Sequence, residues 1–423
     1  MNIGIIGLGD MGKLYAIKFA EQGLTVYGCD LPEKQEALQK ELQGKNITVL
    51  KDGSEVSKLA DFIFYAVEAE KIGEVVAACA FFTKPNALVT GMTSVKTPEI
   101  DAFEKYLPKE TSLLITHSLH GPGFRTEGQK LIIAPHRITP EKYEEAKGVL
   151  AKLESEIIEL EDYHQHDRIM ADTQALTHMG FESMGTAWKN AGYYPWNNGA
   201  YVSGIDNVKI LTTLRIYSYK SHVYAGLAIL NPYAQEQISA YAKSESELFK
   251  MMIQEDEEAF RKRIYAAKKF VFHGQTNLML FDDEIMREFS LGDNQALAKS
   301  NSHLSLLAMV DAWYSLRINP YENLVGQTPP FKLRLGIVEY LFKNEELLED
   351  TIRAALYDKS IRGDDLEFHT AVREWASIIK YKDMEGYKNH FNETKDFFKD
   401  LLEHGRLQSA ELIKRLSSGK ADI

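Results

Sequence analysis

Over the first 160 residues, short apolar runs alternate with amphipathic stretches, and after residue 165 that alternation stops. The runs "IGIIG" (3–7), "TVYGCD" (25–30), "DFIFYAV" (61–67), "ALVTGM" (87–92), "SLLITH" (112–117), "LIIAPH" (131–136) and "EIIELE" (156–161) all have strand length. Stretches such as "MGKLYAIKFAEQG", "KIGEVVAACAFF" and "PEIDAFEKYL" lie between them with helical spacing. Strand and helix in alternation predict a doubly wound, open parallel α/β sheet. Farther on, apolar residues recur mostly at helical spacing and convincing strands are scarce, which predicts an all-α second domain. The expected boundaries are 1–162 and 163–423.

The first run ends in "GIIGLGDMG", which sets Gly7, Gly9 and Gly12 between a strand and a helix start. In that context Gly7 permits a tight turn, Gly9 lets a pyrophosphate approach the backbone, and Gly12 allows close helix–sheet packing. The helix start adds partial positive charge. Residue 30, where the second strand ends, is an aspartate, eighteen positions past Gly12. An acid there suits the ribose hydroxyls of a dinucleotide. The first domain is therefore expected to be of the Rossmann dinucleotide-binding type. The cofactor contacts are expected from Gly7, Leu8, Gly9, Asp10, Met11, Gly12, Asp30, Val67 and Ser94. Because Leu31 follows the acid and the nearest cation is Lys34, the residues alone lean toward NAD.

Composition narrows the function classes. A formal net charge of −12 disfavours a general attraction to nucleic acid or anionic membrane. Cys29 and Cys79 are the only two cysteines, too few for a disulfide framework or a thiolate metal site. The start "MNIGIIGLGD" has no basic leader, and no apolar run approaches the length of a membrane span. A soluble cytoplasmic protein is expected.

Two stretches end strands and carry reactive side chains: "TSVK" (93–96) and "THSLHGP" (116–122). Carboxyl ends of parallel strands face the ligand crevice of such sheets, so Ser94, Lys96 and His117 are expected to converge there. An imidazole suits acceptance of a hydroxyl proton at neutral pH, which makes His117 the candidate base and Ser94 its companion. A structural histidine remains the alternative for His117. A metal pair of His117 and His120 lacks co-ligands at suitable spacing, and His120 is read as shaping the turn.

The helical part contains two matched blocks. "THMGFESMGTAW" (177–188) resembles "SHLSLLAMVDAW" (302–313), and "RIYSYKSHVYAGLAILNPYAQEQI" (215–238) resembles "PPFKLRLGIVEYLFKNEELLEDTI" (329–352) without a gap. An internal duplication is expected, with repeats about 166–290 and 291–423. Gln174 and His178, four apart, are expected on one helix face. Arg215, Lys220, Lys332 and Arg334 are candidates for holding substrate carboxylates.

Together these stretches resemble the prephenate dehydrogenases, specifically in their fungal form. The likeness extends over nearly the whole chain, through "IGIIGLGDMG", "TSVKTPEIDAFEKYLP", "THSLHGP", "TEGQ", "HDRIMADTQALTH", "LRIYSYKSHVYAGLAILNP", "NSHLSLLAMVDAW" and "REWASI". The resemblance implies oxidative decarboxylation of prephenate to 4-hydroxyphenylpyruvate on the way to tyrosine. It gives His117 the C4 hydroxyl proton, Ser94 the orientation of that hydroxyl and the nicotinamide, and His178 a place lining the site.

It also implies NADP, against the residue-level lean to NAD. Bacterial members carry a substrate arginine in a Pro-x-aromatic-Arg motif, whose matching places here are Ser218 and Lys332. The carboxylate clamp then falls to Lys332, or moves to Arg215, Lys220 or Arg334. Arogenate in place of prephenate, a β-hydroxyacid dehydrogenase with Lys189 in "MGTAWKN", and a non-catalytic NADP sensor are the competing readings. A homodimer through the helical part fits the family, and a duplicated module would instead let one chain pair with itself.

Overall fold

The computed structural model describes residues 1–194, 204–274, 300–324 and 328–418. These form two compact units, Met1–Arg168 with Leu230–Pro232, and Ile169–Ile229 with Tyr233–Ile423.

The first unit is built on one eight-stranded sheet in the order β3-β2-β1-β4-β5-β6-β7-β8. Its strands are β1 (Asn2–Ile6), β2 (Thr25–Cys29), β3 (Ile47–Val49), β4 (Phe62–Tyr65), β5 (Leu88–Gly91), β6 (Ser112–Ser118), β7 (Lys130–Arg137) and β8 (Glu156–Glu159). From β3 through β6 every pairing is parallel, so the order reverses between β1 and β4, the switch point where dinucleotides bind in such sheets.

Two features depart from the expected sheet. Strand β3 spans only Ile47–Val49, too short to show a period, and pairs at the edge with β2. Strand β7 runs antiparallel to β6, with His117 opposite Ile132. The connection 119–129 has no room for the crossover that a parallel return requires, so the chain folds straight back.

Both faces of the sheet are covered, which is why its strands read as continuous apolar runs rather than alternating ones. Ile3, Ile5, Phe62, Phe64 and Leu114 pack with Tyr15 and Phe19 of the helix Asp10–Glu21. Their chain neighbours Ile6, Ile63, Tyr65, Leu113 and Ile115 pack on the other side with Val56, Val76 and Phe103. Phe64 meets the rings of Tyr15, Phe19 and Phe62, and truncating a phenylalanine so enclosed costs about 3–5 kcal/mol. Both cysteines are buried in this unit. Burial pushes the Cys29 thiol up to about 12 and the Cys79 thiol up to about 11.

In the second unit all described elements are helical. Every residue of the helix Gly204–Tyr217 is buried, including Asp206, Lys209 and Arg215, so its polar groups must find partners inside the unit. Helix Leu176–Ala191 packs against Arg362–Lys380, where the Trp375 indole donates to Thr186 Oγ1 at 3.0 Å. The unit opens with a π turn, Ala171–Ala175, which carries Gln174. That wider winding departs from the α geometry that would set Gln174 and His178 on one face.

The expected repeats meet around 290–291, outside the described residues. Their two histidines are set differently. His178 lies within the helix Leu176–Ala191, whereas His303 precedes Leu304–Leu316 in a left-handed conformation, φ 43°. No helix among the described residues is long and apolar enough to cross a membrane.

Candidate active site

The glycine turn follows β1 directly. Gly7 has φ +106°, and a Cβ there would stand 2.4 Å from the Ala66 carbonyl oxygen. The amides of Gly7 and Leu8 both donate to Cys29 O, which ties the turn to β2. A Cβ on Gly12 would lie 1.9 Å from Gly7 O, so the helix can approach the turn only through a glycine. A Cβ on Gly9 would meet nothing within 4 Å, leaving open space above the helix start. Asp10 is exposed there, Leu8 is buried, and Val67 borders the turn from the end of β4. Backbone donors at a helix start beneath open space suit a pyrophosphate.

At the end of β2, Asp30 Oδ1 accepts from the Leu31 amide at 2.8 Å and from Lys34 Nζ at 2.9 Å. The acid is thus paired with Lys34, the cation nearest to it in the sequence. Leu31 itself is exposed.

His117 lies one residue before the end of β6 and is 8% exposed. Its Nδ1 stands 2.8 Å from His166 Nε2, and His166 Nδ1 stands 2.8 Å from Asp167 Oδ1. Asp167 also accepts from the amides of Lys96 and Thr97, at 2.7 and 2.8 Å, and from Thr97 Oγ1 at 2.7 Å. It therefore closes the start of the helix Thr97–Tyr106. Asn231 Nδ2 donates to the Asp167 backbone carbonyl at 2.7 Å. Burial, then the His166 and Lys96 charges, hold the His117 imidazole well below its ordinary range. Burial lowers His166 as well, opposed by Asp167.

Lys96 departs from the expectation that it faces the crevice. Its ammonium points into the core, 3.1 Å from Gly91 O and 2.9 Å from Glu99 Oε2, in an ion pair with no exposure on either side chain. Glu99 also accepts the Thr93 amide at 2.7 Å, so the pair braces the connection between β5 and the next helix. Half-buried Ser94 lies on that connection, and its side chain makes no hydrogen bond to another described residue. A side chain of Tyr15 bonds Ser118 Oγ, linking the first helix to the end of β6. His120 Nδ1 meets Gly121 O at 3.1 Å, in keeping with a role in the turn.

In the second unit the four cation candidates separate. Lys220 is exposed and Lys332 is half-buried. Arg215 is buried, near Ser409 Oγ at 3.5 Å and with its guanidinium 5.5 Å from the Tyr219 ring. Arg334 is also buried and donates to Thr177 Oγ1 at 2.9 Å, while its Nε has no partner among the described residues. No described carboxylate forms an ion pair with it. Burial and the charge of Arg215 lower the guanidinium to about 10, opposed by Tyr224 and Glu182. A buried cation without a carboxylate is costly, and an anionic ligand would relieve that cost.

His178 belongs to the same neighbourhood. Its ring meets Tyr224 edge-on at 4.8 Å, and burial, then the Arg334 charge, holds it well below its usual range. Glu182, one turn farther along the helix, accepts from Tyr387 Oη at 2.7 Å, and its Oε1 has no partner among the described residues. Burial pushes its carboxyl up to about 7. By contrast, His303 lies in a closed network. Lys209 Nζ sits 3.1 Å from His303 Nδ1 and 2.9 Å from Asp206, and Asn301 donates to Asp206. Among the described residues no three His, Cys, Asp or Glu side chains are grouped to hold a metal ion.

Sequence reasoning did not single out His166, Asp167, Glu182 or Tyr224. His166 and Asp167 stand in a block whose likeness was noted, but nothing in their spacing ties them to a residue 49 positions earlier.

The fold and the glycine turn define a dinucleotide-dependent dehydrogenase with a helical second part. In agreement, the family model for the NAD binding domain of 6-phosphogluconate dehydrogenase matches residues 2–159, and a C-terminal domain model of the 6-phosphogluconate dehydrogenase type matches 175–418. Prephenate dehydrogenase [NADP(+)] of Saccharomyces cerevisiae is 46% identical, over 99% of this chain and 95% of that protein. A probable prephenate dehydrogenase [NADP(+)] of Schizosaccharomyces pombe is 42% identical, over 98% and 97%. The chain belongs to the prephenate dehydrogenase family. Its fold is shared with the Aquifex aeolicus prephenate dehydrogenase solved with hydroxyphenyl propionate and NAD+, at TM-score 0.50 and 18% identity over 62% of this chain and 94% of that one.

Proposed function

We propose that this chain is an NADP-dependent prephenate dehydrogenase that converts prephenate to 4-hydroxyphenylpyruvate with release of CO2. The observation that carries the geometric part is the placement of His117. β6 brings its imidazole to the same carboxyl edge of the sheet as the Gly7–Gly12 turn. The NADP(+)-dependent relatives and the Lys34-paired Asp30 support the choice of dinucleotide.

The dinucleotide, when bound, accepts a hydride from C4 of the ring. Gly7, Gly9 and the amides opening Asp10–Glu21 would hold its pyrophosphate, with Leu8, Met11 and Val67 bordering the turn. His117 takes the C4 hydroxyl proton as the carbonyl forms. Ser94 orients that hydroxyl. The ring carboxylate then leaves as CO2, and aromatisation drives the step, so the protein's work is mostly orientation and charge neutralisation.

Arg334 is the favoured ligand for a substrate carboxylate, because its guanidinium is buried and its Nε has no partner among the described residues. A planar fork also suits a carboxylate better than Lys332 does. His178 and Gln174 line the substrate, and Arg215 adds positive charge behind Arg334. Two free, buried thiols fit a reducing compartment, and we infer the cytoplasm.

Initial rates with prephenate and with arogenate, each against NADP and NAD, test the reading. Prephenate with NADP should give the highest kcat/KM. A preference for NAD would reject the cofactor, a preference for arogenate the substrate, and no turnover of either the function.

A further inference from the structure

The contact between His117 and His166 joins two ring nitrogens 2.8 Å apart, and such a contact needs one hydrogen between them. Which ring supplies it follows from Asp167. That carboxylate already accepts the amides of Lys96 and Thr97 and the Thr97 hydroxyl, so it is ionised and only accepts. His166 Nδ1, 2.8 Å from Asp167 Oδ1, must therefore carry a hydrogen. In a neutral ring, His166 Nε2 is then a bare lone pair. The hydrogen in the contact belongs to His117 Nδ1, and His117 Nε2 is left free to accept.

We propose that His166 and Asp167 are positioning residues that fix the reactive tautomer of His117 and share the proton it takes up. The inference rests on the dehydrogenase reading above and extends it. The balance is simple. The substrate O–H breaks, its proton bonds to His117 Nε2, and its electron pair forms the carbonyl as hydride leaves C4 for NADP+. The hydrogen on His117 Nδ1 then passes to His166 Nε2. One proton enters the pair and none leaves it, and the positive charge comes to rest beside the Asp167 carboxylate.

His117 could not do this well alone. It is buried, and the charges facing it are Lys96 and His120, with Glu99 engaged by Lys96. These groups disfavour an isolated imidazolium. Through His166, the charge reaches the Asp167 carboxylate, and two rings in such close contact titrate as a unit.

The direct test reads the tautomer in wild-type protein without substrate. Long-range 1H–15N correlation spectra of 15N-histidine-labelled protein should show His117 with hydrogen on Nδ1 and a bare Nε2. A hydrogen on His117 Nε2 in the neutral state would overturn the proposal, whatever the enzyme's substrate. The kinetic test uses two variants. In His166→Gln the side-chain carbonyl can still accept from His117 Nδ1 but cannot take the proton, and kcat should fall about 10-fold. In His166→Leu neither is done, and kcat should fall about 100-fold, with the acid limb of the kcat/KM profile moved to lower pH.

KM for prephenate and the fluorescence-measured Kd for NADP should change less than about 3-fold in both. Equal losses in the two variants with an unmoved pH profile would mean a merely structural role and overturn the proposal. Absence of turnover in the wild type would instead reject the dehydrogenase reading and leave the spectroscopic result standing on its own.

Discussion

The carboxylate of Asp167 accepts the backbone amide of Lys96 at 2.7 Å, although 71 positions separate the two residues. The same carboxylate holds the Thr97 amide and His166. One side chain therefore closes a helix start and anchors the imidazole pair that ends at His117. Local folding at residue 96 and the orientation of the candidate base are set by a single group.

Replacing that carboxylate should be expensive. In Asp167→Ala the amides of Lys96 and Thr97 lose their acceptor in a buried place, a loss of about 3 kcal/mol. Urea unfolding should show a lower midpoint at unchanged slope. A loss below about 1 kcal/mol would mean that water reaches these amides.

Two glycines of the turn should differ in their effect on stability. Gly12→Ala places a methyl 1.9 Å from Gly7 O, so it should lower Tm and weaken NADP binding together. Gly9→Ala meets open space in this structure and should leave Tm unchanged while weakening NADP binding about 10-fold or more. Unchanged binding in Gly9→Ala, read by fluorescence titration, would place the pyrophosphate elsewhere.

Arg334→Met should separate stability from binding. Removing a buried cation that has no carboxylate partner among the described residues should raise stability by about 1 kcal/mol, and Thr177 Oγ1 keeps its bond to Thr173 O at 2.8 Å. KM for prephenate should rise about 30-fold, the worth of a charge-assisted contact. A KM within 3-fold of wild type would move the carboxylate ligand to Arg215, Lys220 or Lys332.

Glu182 should leave a signature in the pH dependence of stability. Its carboxyl is raised from 4.5 to about 7 by burial, so the folded state holds a proton that the unfolded chain releases. The contribution is fully present below pH 4.5 and is lost as pH rises through about 7, on the order of 3 kcal/mol in total. Glu182→Gln should therefore gain on the wild type between pH 5 and 8 in denaturant unfolding. Parallel curves for the two proteins would show that Glu182 ionises freely.

The first unit was legible in its sequence because its strands are covered on both faces and its glycine turn is a local constraint. Two items were not. Three residues, Ile47–Val49, cannot show a period, and the direction of β7 depends on the short connection before it rather than on its own composition. The place of His117 near a strand end could be read because strand ends and residue type are sequence properties. His166 and Asp167 could not, because their roles arise from contacts across the fold. Lys96 shows the reverse error: its position at a strand end pointed to the crevice, but a buried carboxylate three residues on draws its ammonium into the core. In the helical part, matching a motif pointed to Lys332, whereas the buried cation with no anionic partner among the described residues is Arg334.

The two buried thiols have a practical consequence. With Cys29 and Cys79 raised to about 12 and about 11, hardly any thiolate exists near neutral pH, and neither sulfur is exposed. The wild-type background is thus close to silent toward maleimides and mild oxidants. A cysteine introduced at an exposed site such as Tyr381 or Phe81 would take up a dye or spin label by itself. Distances within either unit could then be followed during turnover without first removing a native residue.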